Sequence, residues 1–226
     1  MKYTLDAYHA ALFPNDFYIS NVSVLIASLS KIKEFDGDPL VLPLPSSAPR
    51  ELPRLTIRSK DGTRTCQIGL DKLYFTWSSV DGKECTVSID DISNHVRRVV
   101  ESLRKGVTFN RVGFITDYVV DATYHDVMNS IFNSKLLDAS ESVTDFTMSV
   151  TRQMSLQSYN YCNRVVALRS GTRLDNPGTE VVAVRHDLNT QPNAQNAFDL
   201  AKVIDIIRDA NEKSSLAEIQ TVVCLE

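Results

Sequence analysis

Arg152 falls on an otherwise apolar face. In the run from Asp145 to Leu156, Phe146, Met148, Val150, Met154 and Leu156 occupy one set of alternate positions, and Thr147, Ser149, Thr151, Gln153 and Ser155 the other. The guanidinium belongs to the first set, and a buried Arg requires an anion, from the protein or from a ligand. A place near a sheet edge, or an internal carboxylate, meets that need without a ligand. Arg185-His186-Asp187 ends a later strand-like run. Neighbouring side chains on a strand point to opposite faces, so Arg185 and Asp187 share one side and His186 takes the other, which disfavours a local His-Asp dyad. If their strands are adjacent, Arg152, Arg164 and Arg185 form an anion or nucleotide pocket, and these three are the candidate ligand-binding residues. A solvated face is the plainer account of Arg185.

Other chemistries find less support. The chain has no Gly-rich phosphate loop, no G-x-S-x-G, no H-E-x-x-H and no C-x-x-C, so no catalytic residue is assigned and enzymatic activity is not the expectation. His125-Asp126 with Asp121 supplies too few ligands at usable spacing, so neither a metal nor a cofactor is expected. Cys66, Cys85, Cys162 and Cys224 are scattered, as expected of free structural thiols in a reducing, cytoplasmic protein. Arg97, Arg98, Arg104 and Lys105, with Arg111 beyond, could suggest nucleic acid. Positive charge at a helix C-terminus already has a cause in the helix dipole, and the formal net charge is −4, so nucleic acid is not expected. Tyr74, Phe75 and Trp77 could stack on bases, but Phe75 and Trp77 share an apolar strand face and read as core.

The elements that position these residues follow from patterning. The N-terminus lacks the apolar stretch of a secretory signal, and no run is long enough to span a membrane, so no membrane partner is expected. Phe17 to Ala27 reads as a strand. Of the eight prolines, five fall between Pro39 and Pro53, which predicts an extended connection. From Pro53 to Trp77 a hairpin is expected: Leu55 and Ile57 alternate with polar residues before Asp61-Gly62, and Cys66, Ile68 and Leu70 after it. The apolar phase slips at Gly69-Leu70, as at a bulge or corner, and Asp81-Gly82 turns the chain again. Ser88 caps a helix to Lys105 with an Ile89, Ile92, Val96, Val99, Val100, Leu103 stripe, and Gly106 ends it. Then come a strand RVGFITDYVVD, a short helix near His125 to Asn133, strands at Asp145 to Leu156, Tyr159 to Arg169 and Thr179 to Asn189, and a helix from Asn196 to Asn211. Ser215 caps a further turn.

The segment PRLTIRSKDGTRTCQIGLDKLYFTW resembles one typical of a sporadically distributed family of uncharacterised prokaryotic α+β proteins. There a Pro-led strand, a D-G turn and an aromatic strand ending near Trp precede an amphipathic helix. RVGFITDYVVD and EVVAVRHDLNT are similar to that family's later strands, so the resemblance covers about residues 50–210; residues 1–45 depart from it. It implies the fold and brings no activity; the family's patchy occurrence suggests accessory genes such as those of phage defence.

The expected fold is therefore α+β, an antiparallel sheet from two strand-rich halves with the helices Ser88 to Lys105 and Asn196 to Asn211 packed on it. The chain reads as a single pseudo-duplicated domain, 1–226, with halves 1–106 and 107–226. The expected function is a non-enzymatic interaction or regulatory protein with a protein partner, an accessory component of a prokaryotic defence or toxin-neutralising system. The alternative is a domain that binds a small anionic ligand or nucleotide.

Overall fold

The structure, a computed structural model, describes residues 2–19, 21–45, 47–80, 83–103, 106–123, 125–127, 145–173, 176, 178–193 and 195–223. Its strands are β1 (Lys2–Pro14), β2 (Leu40–Val41), β3 (Leu55–Arg58), β4 (Arg64–Ile68), β5 (Leu73–Ser78), β6 (Phe109–Asp121), β7 (Thr147–Met154), β8 (Cys162–Thr172) and β9 (Glu180–Thr190). The helices are α1 (Val22–Leu29), α2 (Ile89–Leu103), α3 (Leu200–Lys213) and α4 (Leu216–Val223). All strands join one antiparallel nine-stranded sheet in the order β2-β3-β4-β5-β1-β6-β9-β8-β7. The fold is mixed α and β, dominated by the sheet. Among the described residues no helix is long and apolar enough to cross a membrane.

The hairpin forms as its alternation requires, with Ile57 opposite Cys66. Asp61 builds its turn by accepting from the Thr63 amide at 3.0 Å, and Gly62 takes the left-handed φ of 74° that only Gly adopts cheaply. The phase slip is neither a bulge nor a corner. It is a second hairpin loop, in which the Gly69 amide bonds the Lys72 carbonyl at 2.9 Å and Ile68 faces Leu73 across the strands. Asp81-Gly82, Arg104, Lys105 and most of the helix expected near His125 lie outside the described residues.

The strand expected over Phe17 to Ala27 is a helix instead. Asn21 caps α1 by accepting from the Val24 amide at 3.2 Å, and Leu25 and Leu29, one turn apart, are its buried residues. Ser88 caps α2, accepting from the Asp91 amide at 3.1 Å, and Ile92, Val96, Val99 and Val100 are buried. The last long helix starts later than Asn196, because the Asp199 carboxylate caps it at the Lys202 amide, 2.8 Å away.

Helices cover one face of the sheet. Val96 and Val99 of α2, Val203, Ile204 and Ile207 of α3, and Leu25 and Leu29 of α1 share a core with Leu12, Phe75, Trp77, Phe114 and Leu188 of the strands. A second cluster joins Tyr118, Val120, Val166, Leu168, Val182 and Val184 beneath Leu216. Each large side chain fully buried in this way contributes about 1.5–3 kcal/mol. The sheet residues on the opposite face, Ala7, Ala11, Ile115, Val119 and Val165 among them, belong to neither cluster.

Candidate functional site

The strands of the three candidate arginines are adjacent, but their side chains do not converge. Arg152 and Arg164 are cross-strand partners on the helix-covered side, and Arg152 is exposed because β7 is the sheet's edge. Arg164 is occupied: its Nε donates to His186 Nε2 at 2.7 Å, Nη2 donates to the Glu218 carbonyl at 3.3 Å, and the Glu218 carboxylate lies 3.6 Å from Nη1. Arg185 is on the opposite face, holding Asp117 through two bonds of 2.8 and 2.7 Å. His186 and Asp187 likewise occupy opposite faces, as strand alternation dictates.

The remaining candidates are accounted for locally. Asp121 pairs with Arg173 at 2.7 Å, and Arg98 with Glu34 at 2.6 Å. Thr123 caps the turn that carries His125 and Asp126, accepting from the Asp126 amide. Cys66, Cys85 and Cys162 are buried and unpaired, and burial pushes the Cys162 thiol up to about 11, so none is a ready nucleophile. Cavities of about 550, 190 and 640 Å³ open beside the start of α2, between α1 and α2, and between α2 and the start of α3; Arg152, Arg164 and Arg185 line none of them.

The chemically dense region is the centre of the face that no described helix covers. Register there sets out rows across the sheet. One row runs Gln67, Tyr74, Ala11, Gly113, Asn189, Asn163, Gln153; the next runs Thr65, Thr76, His9, Ile115, Asp187, Val165, Thr151. Arg185, beside Asp117, begins the following row. His9 Nε2 meets the Asp117 carboxylate at 3.0 Å, and its ring stacks on Tyr74 at 5.5 Å. Lys72 Nζ sits 4.3 Å above the Tyr74 ring and 5.9 Å from that of Phe13, while the Arg111 guanidinium lies 5.1 Å over the Phe13 ring. Asn189 links Arg111 to Asp187, accepting from Arg111 at 3.1 Å and donating to Asp187 at 3.1 Å.

The electrostatics are unbalanced toward positive charge. Burial works to raise the Asp117 carboxyl, but the bonds from Arg185 and His9 overcome it and hold the group below its ordinary range. Among the described residues Asp187 has no direct arginine bond, and burial raises it. Burial, reinforced by the nearby Arg111 charge, lowers Lys72. Among the described residues no carboxylate forms an ion pair with Lys72 or Arg111, and Arg111 Nε is buried without a hydrogen-bond partner. Arg58 and Arg169 add exposed cations to the same face.

Gly113 lies inside the thirteen-residue strand β6, where glycine weakens a strand. Its φ is not positive, and a Cβ there would meet nothing closer than Asn189 Cβ at 3.6 Å. Neither backbone geometry nor packing requires it. Gly113→Ala is therefore expected to fold with stability raised by about 0.5–1 kcal/mol, read from the urea midpoint at unchanged m-value.

The sequence held one signal for this site. Arg111, Gly113 and Asp117 share one parity in β6, and Arg185, Asp187 and Asn189 share one in β9. Bringing the two sets together takes strand order, and Lys72 enters from a loop. No protein-family model matches the chain, and no curated protein matches it significantly.

Proposed function

We propose that the protein is a non-catalytic interaction protein whose uncovered sheet face engages an acidic segment of a partner protein. The observation that carries this reading is the paired Lys72 and Arg111 cations flanking Phe13: among the described residues neither forms an ion pair, Asp187 reaches Arg111 only through Asn189, and no described helix covers this face. A partner carboxylate supplies the missing charge. Discrete acidic side chains fit better than a nucleic acid backbone. Asp117 and Asp187 interrupt the cationic surface, and Lys72 and Arg111 already occupy faces of the Tyr74 and Phe13 rings that bases would use. The cavities beside α1, α2 and the start of α3 lie away from this cluster, which favours a surface contact here over an enclosed small ligand.

The same reading takes the chain as one pseudo-duplicated domain. β1 pairs with β5, beyond which lie β4 and β3, and α2 follows β5 in the chain; β6 pairs with β9, beyond which lie β8 and β7, and α3 follows β9. The central cluster then straddles the β1/β6 joint between halves 1–106 and 107–226. The setting in prokaryotic defence or toxin neutralisation rests on the hairpin's resemblance alone.

The test is titration with a glutamate-rich peptide, a glutamine-rich peptide of equal length and a single-stranded oligonucleotide of equal charge. The acidic peptide should bind, more weakly as salt rises, and Lys72→Glu with Arg111→Glu should weaken it about tenfold or more. Neither cation forms an ion pair among the described residues, and Lys72→Gln with Arg111→Gln, which adds no negative charge beside Asp187, should weaken binding in the same direction with unchanged circular dichroism. Preference for the oligonucleotide, or acidic-peptide binding indifferent to the double substitution, would overturn the assignment.

A further inference from the structure

The two edges of the sheet are unlike. β2 is two residues long and leads into Pro43 and Pro45, which lack amide donors and stop a neighbouring strand from extending it. β7, at the other edge, runs eight residues without Pro or Gly, and Arg152 is its sole charge. Thr147, Ser149, Val150, Thr151, Arg152 and Gln153 are all exposed, Val150 to 38%.

The direction of its backbone groups can be read off. The Ser170 amide donates to the Phe146 carbonyl at 3.1 Å, so the ladder alternation directs the even-numbered residues of β7 toward β8 and those of Thr147, Ser149, Thr151 and Gln153 outward. Among the described residues no partner takes these outward amides. A long edge of unpaired donors and acceptors, without the usual blocking devices, is a template for another strand.

We infer that β7 pairs antiparallel with β7 of a second copy of this chain, about a two-fold axis through Val150. Hydrogen bonding requires outward residues to face outward residues, and this register does so throughout, setting Ser149 against Thr151 and Thr147 against Gln153. Arg152 then faces Met148 instead of its own copy, whereas a register centred on Arg152 would oppose two like charges. The Val150 side chains meet as a close non-hydrogen-bonded pair, and Met148, already packed against the second core cluster, extends the apolar seam. The same strand satisfies itself, as a closed two-fold interface demands. The two sheets become one, with both helix layers on one side and both uncovered faces on the other.

Sedimentation and light scattering across micromolar concentrations should give a reversible monomer–dimer equilibrium for the native chain. Val150→Lys and Val150→Glu should each be monomeric with unchanged circular dichroism, since the side chain is already exposed, and an equimolar mixture should recover a one-to-one heterodimer. Thr151→Pro, which removes an outward donor while sparing the bonds to β8, should also abolish the dimer. A native chain monomeric throughout, a dimer indifferent to these substitutions, or a Lys/Glu mixture that stays monomeric would overturn the proposal. So would capture of an extended peptide on β7 by a chain that remains monomeric.

Discussion

Trp77→Ala is expected to destabilise the protein by about 3–5 kcal/mol, a large part of the stability of an ordinary domain. Trp77 is 1% exposed, its ring lies parallel to that of Phe75 at 5.7 Å, and its indole N–H donates to His95 Nδ1 at 3.0 Å. Truncation therefore opens a cavity between β5 and α2 and strips a buried imidazole of its donor. Trp77→Phe separates the two effects: most of the packing stays and the hydrogen bond goes, so the loss should be about 1–3 kcal/mol. Because this is the only tryptophan, both variants are followed by circular dichroism in urea, with native fluorescence as a control on the parent. A Trp77→Ala chain as stable as the parent would mean that α2 does not depend on this contact for its seat.

The two elements that make this contact were legible in the sequence, while the Trp77–His95 bond and several other elements were not. The aromatic strand and α2 announce themselves because each buries one clean face: Leu73, Phe75 and Trp77 with period two, and Ile92, Val96 and Val99 with helical spacing. β1 gives no such signal. Ala7 and Ala11 are buried on one face and Ala10 and Leu12 on the other, so apolar residues do not alternate, and a register shift between Leu5 and Ala7 breaks the phase again. Its neighbour α1 is short, and strand-like Tyr18 and Ile19 precede the Asn21 cap that decides where the helix starts. The oddity of Arg152 was real and local. An edge position lets a guanidinium leave an apolar face for water, and edges are a property of strand order. The Lys72–Arg111 cluster is harder still, since it joins a hairpin loop, β1, β6 and β9. No window of sequence contains it, and only the register between distant strands assembles it.

Register also creates a strong acid-side pH dependence. His186 is fully buried, with Thr116 of β6 and Val166 of β8 as its cross-strand neighbours. Arg164 donates to its Nε2, so the ring is neutral with the proton on Nδ1, an atom that has no partner among the described residues. The Glu218 carboxylate is held on the far side of Arg164 and does not bond the ring directly. Protonating Nε2 would remove the bond and press a second positive charge against the guanidinium. Burial first, and the Arg164 charge second, pull the imidazole down to about 3. In the unfolded chain a histidine titrates near 6.5. The depressed folded value means that stability is fully present above 6.5 and is lost as pH falls toward 3, because over that window the unfolded state takes up a proton the folded state refuses. The slope is about 1.4 kcal/mol per pH unit, before carboxylate linkage adds to it at the acid end. Urea unfolding at pH 7, 6 and 5 should show this loss. His95, also lowered by burial, contributes in the same direction. His186→Gln keeps an acceptor for Arg164 but cannot titrate. Though less stable at neutral pH, it should have a shallower pH slope than the parent, and the parent's His186 ring should hold its neutral NMR shifts to about pH 4. Parallel slopes for parent and variant would mean that the buried imidazole is not the titrating group.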